Sequence, residues 1–186
     1  AAGVGDSTAA SALMAALAVG AGASGGAREV YMAMLAWQQA GEETPSRLER
    51  LARHYQSTRL EVWPEIDRPP GFAAYGSTCA LPVRQTLTSL AQAMPDGAVA
   101  WLQQERQALE TAAGLPLAMT GVAAAALTDL GFAPSHGEML CLLLRLPGAA
   151  AHALEQQDQG FRHFPFFALE LENDPDREVP QVPEAA

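Results

Sequence analysis

The side chains best suited to chemistry in this chain of 186 residues are four histidines and two cysteines. They are His54, His136, His152 and His163, and Cys79 and Cys141. No two histidines stand three or four residues apart and the cysteines form no C-x-x-C pair, so the spacing does not predict a metal site. The sequence also lacks the short motifs of serine hydrolases and of phosphate-binding loops. Local motifs therefore assign no chemistry to the chain.

The composition argues against several classes of partner. Eleven basic residues, all of them arginine, stand against twenty-one acidic ones, and the net charge is -10. Phosphate neutralisation needs a basic surface, so nucleic acid is not an expected partner. No apolar run approaches the ~20 uncharged residues of a membrane-spanning helix, and the first residues lack the basic region of a secretory signal. We expect a soluble globular protein of one or two domains, with reduced cysteines and a cytoplasmic location.

Helical periodicity dominates the sequence, and strand signals are weak. Apolar residues recur three and four positions apart, and Pro and Gly residues separate the helical segments. Capping residues predict helix starts at Ser7 or Asp6, at Ser46 and at Ser135. The predicted helices span residues 7–18, 27–41, 47–58, 82–94, 98–113, 121–130, 136–144 and 149–157, with a long loop at 63–82. The pattern predicts an all-α protein of seven or eight helices.

Four segments resemble motifs of the citrate synthases and the related citryl-CoA lyases. Residues 22–30 are similar to the family's G-P-L-H-G-G-A-N-E, and residues 70–75 lie where the family has P-G-F-G-H. Residues 120–132 resemble N-x-D-G-x-x-A-A-x-L-x-D-L-G-F, and residues 145–156 resemble R-x-x-G-x-x-A-H-x-x-E-Q. The last motif is the most specific. The four segments follow the family's order and cover nearly the whole chain.

The resemblance implies a domain organisation. The family builds a large helical domain from both ends of its chain and inserts a smaller helical domain between them. Residues 1–27 would form a large-domain helix, 28–119 the small domain, and 120–172 the C-terminal helices of the large domain. Residues 173–186 form an acidic, proline-rich tail. Family members have a further N-terminal part of the large domain, so we expect this chain to start late in that domain.

The family's catalytic positions differ in this chain. In the family an Asp deprotonates the methyl group of a thioester, one His donates a hydrogen bond to the enolate oxygen, and a second His polarises the oxaloacetate carbonyl. These positions correspond to Thr120, Ser24 and Ala74. A threonine is no base near pH 7 and an alanine donates nothing. Because a missing base costs about 10²- to 10⁴-fold in rate, and a missing oxyanion donor a further 10²- to 10³-fold, we expect the ordinary reaction to be nearly absent.

Substrate-binding positions are better retained. The resemblance implies that Arg84 and Arg162 bind a carboxylic acid, with Arg162 reaching across a dimer interface. Arg84 is equally compatible with a surface charge on a helix. Residues 76–80 replace the basic run that holds coenzyme A, so no cofactor is predicted, although a coenzyme A thioester could still be a substrate. His152 is interpreted as a hydrogen-bonded core residue.

Three functions are compatible with these features. The first is a non-catalytic or altered citrate-synthase-like protein that binds a small carboxylic acid or acyl-CoA. The second is an active acyl-CoA condensing or citryl-CoA-cleaving enzyme with rearranged groups, for which Glu65 or Asp67 could supply the base. The third is a structural subunit that dimerises with an active paralogue. The expected assembly is a homodimer or a heterodimer with a paralogue. The alanine-rich faces at 9–18 and 123–126 allow close helix contacts and suit such an interface, and a use of the same faces in the core is equally compatible.

Overall fold

A computed structural model describes residues 8–23, 25–41, 44–53 and 68–159. Within those ranges 73% of the residues are helical and no β-strand forms, which confirms the prediction of an all-α protein. The described helices are α1 (Ala9–Gly20), α2 (Ala27–Ala40), α3 (Thr44–Leu51), α4 (Leu81–Ala93), α5 (Ala98–Ala113), α6 (Met119–Asp129), α7 (Pro134–Leu144) and α8 (Leu146–Gln159).

Five helices, α3, α4, α6, α7 and α8, begin one to three residues before their predicted starts. Helix α3 starts before Ser46 and α7 before Ser135, so neither serine is the N-cap that the sequence predicted. A proline stands ahead of each serine, at Pro45 and Pro134, and its fixed φ favours the first helical turn. Helix α8 likewise takes Pro147 into its first turn instead of beginning at residue 149. The proline positions therefore locate these helix starts better than the serines do.

Helix α2 lies at the centre of the described fold and packs against α3, α6 and α7. Its side chains Val30 and Met34 are fully buried, and Trp37 is nearly so. Helix α7 approaches it closely at Gly137, where an added Cβ would lie 2.1 Å from Met34 Sδ. A larger residue at Gly137 would therefore require the end of the Met34 side chain to move. The core is thus built around α2.

The segment before α4 pairs with the segment before α6. An isolated antiparallel bridge joins Phe72 to Leu117, with hydrogen bonds of 2.9 Å from Ala73 N to Pro116 O and from Ala118 N to Gly71 O. A Cβ added to Gly121 would lie 2.5 Å from Gly71 O. The absence of that Cβ lets the connection at 68–73 lie directly against the first turn of α6.

An aromatic pair links α2 to α5. The rings of Trp37 and Trp101 meet edge to face with 5.6 Å between their centroids. The Arg47 guanidinium of α3 lies 5.7 Å from the first ring and 5.3 Å from the second, within the range of a cation–π interaction. Its Nε also donates to Gly41 O at 2.7 Å. Arg47 therefore holds α3 against both neighbouring helices.

Helix α1 lies at the edge of the described fold and packs mainly against α8. Its N-cap is Thr8, whose side-chain oxygen accepts a hydrogen bond of 3.2 Å from Ser11 N. Ala12 is the one buried residue that α1 contributes. Across the ranges that the structure describes, none of the helices has both the length and the apolar character needed to cross a bilayer.

Asp129, at the end of α6, caps the N-terminus of α5. Its carboxylate accepts hydrogen bonds of 2.6 Å from Ala98 N and 2.9 Å from Val99 N. The N-cap residue of α5 is Gly97, which has no side chain to cap with, so Asp129 supplies the acceptor from a distant part of the chain. A carboxylate at this position also interacts favourably with the helix dipole.

Replacing Asp129 with Ala is expected to lower the free energy of unfolding by about 1–2 kcal/mol, because two backbone donors lose a charged acceptor. Asp96, which is exposed and precedes the same helix, provides the matched control, since Asp96→Ala removes an equal charge. The control should stay within about 0.5 kcal/mol of the parent. Urea unfolding followed by circular dichroism measures both. Equal losses in the two variants would show that Asp129 is not a specific cap.

Candidate functional site

Glu29 is a carboxylate buried at the base of α2, with 3% of its surface exposed. It belongs to the first turn of the helix, whose N-cap Gly26 offers no side-chain acceptor. The Glu29 side chain turns back instead, and its Oε2 accepts a hydrogen bond of 2.5 Å from Gly25 N. An isolated charge at this depth would cost several kcal/mol, so further partners are required.

Arg68 supplies the opposite charge. Its Nη2 lies 2.8 Å from Glu29 Oε2 and its Nη1 lies 3.2 Å from Glu29 Oε1, which gives a two-pronged ion pair. Nη1 also donates to Phe72 O, so the guanidinium joins the Glu29 carboxylate to the loop that follows Arg68. Arg68 is itself 8% exposed. The planar guanidinium matches the carboxylate geometry in a way that a lysine ammonium cannot.

Two more donors complete the cluster. Thr120 Oγ1 donates to Glu29 Oε1 at 2.8 Å, and Gly71 N donates to the same oxygen at 3.1 Å. Thr120 is buried, and it lies in the first turn of α6. Three segments that are far apart in the sequence, around residues 25, 68–72 and 120, therefore meet at one carboxylate. We call this group of Glu29, Arg68, Gly71 and Thr120 the Glu29 cluster.

The electrostatics of the cluster make Glu29 a poor base. Burial alone would raise its pKa, but the hydrogen bonds from Arg68, Gly25 and Thr120 and the positive charge of Arg68 outweigh burial, so the pKa is lowered. A carboxylate with a lowered pKa and both oxygens occupied by donors has little tendency to take up a proton. The cluster is therefore suited to holding the three segments together and not to proton transfer.

The described residues enclose a small cavity beside the cluster. A neighbouring cavity of about 20 Å³ lies between Gly71, Gly121 and the apolar side chains of Ala33, Leu109 and Leu117. That volume is comparable with one water molecule. A thioester or a dicarboxylic acid would need a far larger space.

The predicted catalytic positions have different surroundings. Thr120 belongs to the Glu29 cluster, and Ser24 lies outside the described residues, although its neighbour Gly25 donates to Glu29. Ala74 follows the bridge residue Phe72 by two positions and is exposed. The structure thus brings Gly25, the neighbour of Ser24, and Thr120 together at Glu29, whereas Ala74 is exposed.

The predicted binding residues are less closely associated with the cluster. Arg84 is exposed on the first turn of α4, and its charge acts on the nearby thiol of Cys79. Cys79 Sγ is in turn 3.6 Å from Leu117 O, just before α6. Arg162, together with Glu65 and Asp67, lies outside the described residues. Arg84 is therefore close to Cys79, which in turn contacts the segment that leads into α6.

The two cysteines of the sequence are free. Burial and the negative charge of Glu110 raise the pKa of Cys79 to about 11, although the positive charge of Arg106 opposes them. Burial also raises the pKa of Cys141. A thiol with a raised pKa carries almost no thiolate near neutral pH, so neither group is a strong nucleophile.

His152 does not lie in the core as the sequence predicted. Its side chain is 82% exposed on α8, and its Nδ1 lies 2.8 Å from Glu155 Oε2. The apolar face of α8 is carried by neighbouring alanines such as Ala153, which is buried. Because most of these residues are small, the helix periodicity around His152 was too weak to show which face is buried.

Arg145, in the motif around His152, has a definite structural contact. Its Nη1 donates to Gly25 O at 3.1 Å. Gly25, in the loop before α2, is therefore bound at its carbonyl by Arg145 and at its amide by Glu29. Arg28 of α2 also reaches α7, where it pairs with Glu138 at 3.1 Å. These two arginines fix the entry to α2 against α7.

Sequence reasoning assigned no role to Glu29 or Arg68. A signal for Glu29 was present, because it shares a helical stripe with Ala33 and Trp37, both of them core residues. A carboxylate on an apolar stripe predicts a buried partner. No comparable signal identified Arg68, which is 39 residues away in the sequence and precedes a Pro-Pro-Gly turn.

Comparisons with other proteins add no family assignment. A scan against protein-family models, a search of curated proteins and a search of solved structures each give no match to this chain. Among the residues with described positions, no group of three His, Cys, Asp or Glu side chains could hold a metal ion.

Glu29→Gln is expected to lower the free energy of unfolding by about 3–5 kcal/mol, because the buried guanidinium of Arg68 loses the carboxylate that it faces. Arg68→Met should cost a similar amount. The double variant should be more stable than the sum of the single effects predicts, with a coupling energy of about 1–3 kcal/mol. Urea unfolding measures all three. The exposed pair Arg28–Glu138 is the matched control, and its coupling should stay below about 1 kcal/mol.

The stability contributed by Glu29 should also depend on pH. Its pKa in the folded chain lies below the ordinary value of 4.5, so the unfolded chain takes up the proton more readily. The contribution is therefore fully present above about pH 4.5 and is lost as the pH falls through the folded-state pKa. Unfolding of the parent and of Glu29→Gln between about pH 7 and pH 3 should show a stability gap that narrows on acidification. A gap that is constant or widens would contradict the prediction.

Proposed function

We propose that this chain is a citrate-synthase-like protein that lacks the chemistry for thioester enolisation and acts by binding a small carboxylic acid or an acyl-CoA. The proposal includes the fold: residues 28–119 form a smaller helical domain inserted into a larger one. Four motifs in the family's order support it, as does the all-α architecture. A cytoplasmic location is part of the proposal, supported by the two free cysteines.

The hydrogen bond from Thr120 to Glu29 is the observation that carries this proposal. The residue at the position of the family's catalytic base is a hydroxyl group, and that hydroxyl is already committed to a buried carboxylate at 2.8 Å. Proton abstraction from a carbon acid needs a base of suitable pKa that the substrate can reach. Thr120 is neither basic nor accessible, and Glu29 behind it is neutralised by Arg68.

Arg84 is the candidate for carboxylate recognition. It is exposed, lies in the first turn of α4, and its guanidinium has the fork geometry that binds carboxylates with two hydrogen bonds. Arg162 is proposed as a second contact, contributed across a dimer interface. No cofactor is part of the proposal, and a coenzyme A thioester enters only as a ligand. Because the segment at 76–80 is uncharged, we expect coenzyme A to bind weakly.

A second candidate function is that of a structural subunit, which associates with another chain of the same fold through its outer helices. The observation that favours it is α1, an apolar helix of which only Ala12 is buried. Such a helix is normally covered by other protein.

Turnover and binding measurements test the first proposal. With acetyl-CoA and oxaloacetate, loss of the thioester absorbance should be at least about 10⁴-fold slower than an enzyme with base and donors in place would give. Citryl-CoA cleavage should be equally slow. Turnover at a normal enzymatic rate would instead support an active enzyme with rearranged groups.

Calorimetry with oxaloacetate and citrate provides the second part of the same test. We expect binding by the parent, and a loss of about tenfold or more in affinity for Arg84→Ala, because a charge-assisted hydrogen-bond pair is removed. Arg53→Ala, at an exposed arginine after α3, is the control for the change in net charge. Equal affinities in both variants would exclude Arg84 as the carboxylate site, and no binding of either acid or of acetyl-CoA would favour the structural subunit.

A further inference from the structure

Helices α1 and α8 border an open apolar groove of about 600 Å³. Two of its larger lining residues are in contact with solvent, Val19 with 80% and Leu144 with 73% of its surface exposed. The rest of each wall is mainly a stripe of small residues at helical spacing, formed by Ala12, Ala15 and Ala16 on α1 and by Ala149 and Ala153 on α8. Small side chains in both walls leave room for large apolar ones to pack between the helices.

The wall of the groove also carries a polar group without a partner. The side-chain oxygen Oε1 of Gln156 is buried, yet no hydrogen-bond donor among the described residues reaches it. A buried acceptor of this kind is normally satisfied by protein or by water. A backbone N–H group placed in the groove would supply the donor. The occupant that fits the groove thus combines large apolar side chains with N–H donors, as a polypeptide segment does.

The sequence places such a segment directly after the groove. Helix α8 ends at Gln159, about one turn beyond the lining residue Gln156. Residues 160–172 follow, and four of the six phenylalanines of the chain belong to them, together with two leucines. These apolar residues are Phe161, Phe164, Phe166, Phe167, Leu169 and Leu171. Apolar side chains at this density gain free energy when they are buried against other protein.

The segment is also long enough to return along the groove. Helix α8 has 14 residues, which corresponds to about 20 Å. Residues 160–172 can reach up to about 40 Å from the end of α8. Attachment at one end of the groove raises the local concentration of the segment there to the order of millimolar. Tethering therefore favours this segment over a separate polypeptide.

The charges of the groove and of the segment are complementary. None of the described residues that line the groove is an Asp or a Glu, whereas Arg145 lines it at the end where α8 begins. The segment carries Glu170 and Glu172 at its far end. Gly25 O accepts one hydrogen bond from the Arg145 guanidinium, which has five N–H donors in all. A segment that runs back along α8 would bring its carboxylates toward this guanidinium.

We propose that residues 160–172 of the same chain bind in the α1–α8 groove, antiparallel to α8, with phenylalanines between the two alanine stripes and Glu170 near Arg145. The contacts are made by residues 164–172, so Arg162 takes no part in them. The inference goes beyond the first proposed function and does not depend on ligand binding at Arg84. It covers α1 from within one chain, without the second chain that a structural subunit requires.

Thiol labelling of the full chain tests the inference. In a Cys141→Ser background, Ala16→Cys places a thiol in the groove and Ala18→Cys places one on the same helix outside the groove. Both alanines are exposed among the described residues. A segment that covers the groove should slow the reaction of the first thiol with a thiol reagent at least about tenfold relative to the second. Cys79 is buried and its pKa is raised to about 11, so its own reaction is slow.

Variants of the segment show whether the protection comes from these residues. The combination of Phe164→Ser, Phe166→Ser and Phe167→Ser should raise the reaction rate of the groove thiol about tenfold, to that of the control thiol. Val179→Ser with Val182→Ser, beyond the segment, is the matched control and should leave the protection unchanged. Circular dichroism checks the folding of each variant, and Phe167→Ser alone replaces the triple variant if that variant loses helix.

Charge reversal tests the direction of the segment. Glu170→Arg with Glu172→Arg should raise the reaction rate of the groove thiol about fivefold, because two attractive charges near Arg145 become repulsive. Glu178→Arg with Glu184→Arg changes the net charge by the same amount and should have little effect. Protection should not depend on protein concentration between about 1 and 100 μM, because the segment and the groove belong to one chain.

Several outcomes would overturn the inference: equal rates for the two thiols in the parent, protection that survives the loss of the phenylalanines, or an equal response to the two charge reversals. Protection that increases with protein concentration would also overturn it, and would favour the structural subunit. Calorimetry with oxaloacetate and Arg84→Ala tests the first proposed function separately. Either proposal can therefore fail while the other is retained.

Discussion

The requirement to satisfy one buried carboxylate organises the described structure. Glu29 lies inside an apolar core, where an unpaired charge would cost more than a small domain can tolerate. Its two oxygens receive donors from Arg68, Thr120, Gly71 and Gly25. Because these donors come from three distant segments, satisfying the charge also fixes the position of the loop before α2, the connection at 68–73 and the start of α6.

The same constraint bears on chemistry. A residue that catalyses proton transfer must have a pKa near the pH at which the protein works, and the substrate must be able to reach it. In the Glu29 cluster, each interaction that makes burial of the carboxylate tolerable also lowers its proton affinity or occupies a hydroxyl group. The backbones of Gly71 and Gly121 also lie in close contact beside the cluster. Stability and reactivity therefore compete for the same atoms, and in this cluster the contacts favour stability.

Much of the fold, but only part of the site, follows from the sequence. Apolar spacing identifies the helices because burial of one face is a local property, and prolines such as Pro134 refine their starts. A buried charge on α2 could also have been inferred from the stripe of Glu29, Ala33 and Trp37. The pairing of Glu29 with Arg68 could not have been inferred in this way, because the two residues are 39 positions apart and meet only through the tertiary fold. The exposed position of His152 was equally hidden, since the alanines around it give no clear periodicity.

The contrast between α1 and α2 shows where binding capacity remains. Both helices are rich in small apolar residues, but α2 is enclosed by three neighbours and has its one buried charge neutralised, whereas α1 has one principal neighbour and no charge at all. Further contacts can add little free energy to the Glu29 cluster, because its donors and acceptors are already paired. They can add much at α1, where apolar surface is still in contact with water. On energetic grounds, α1 therefore has more to gain from a partner than α2 has.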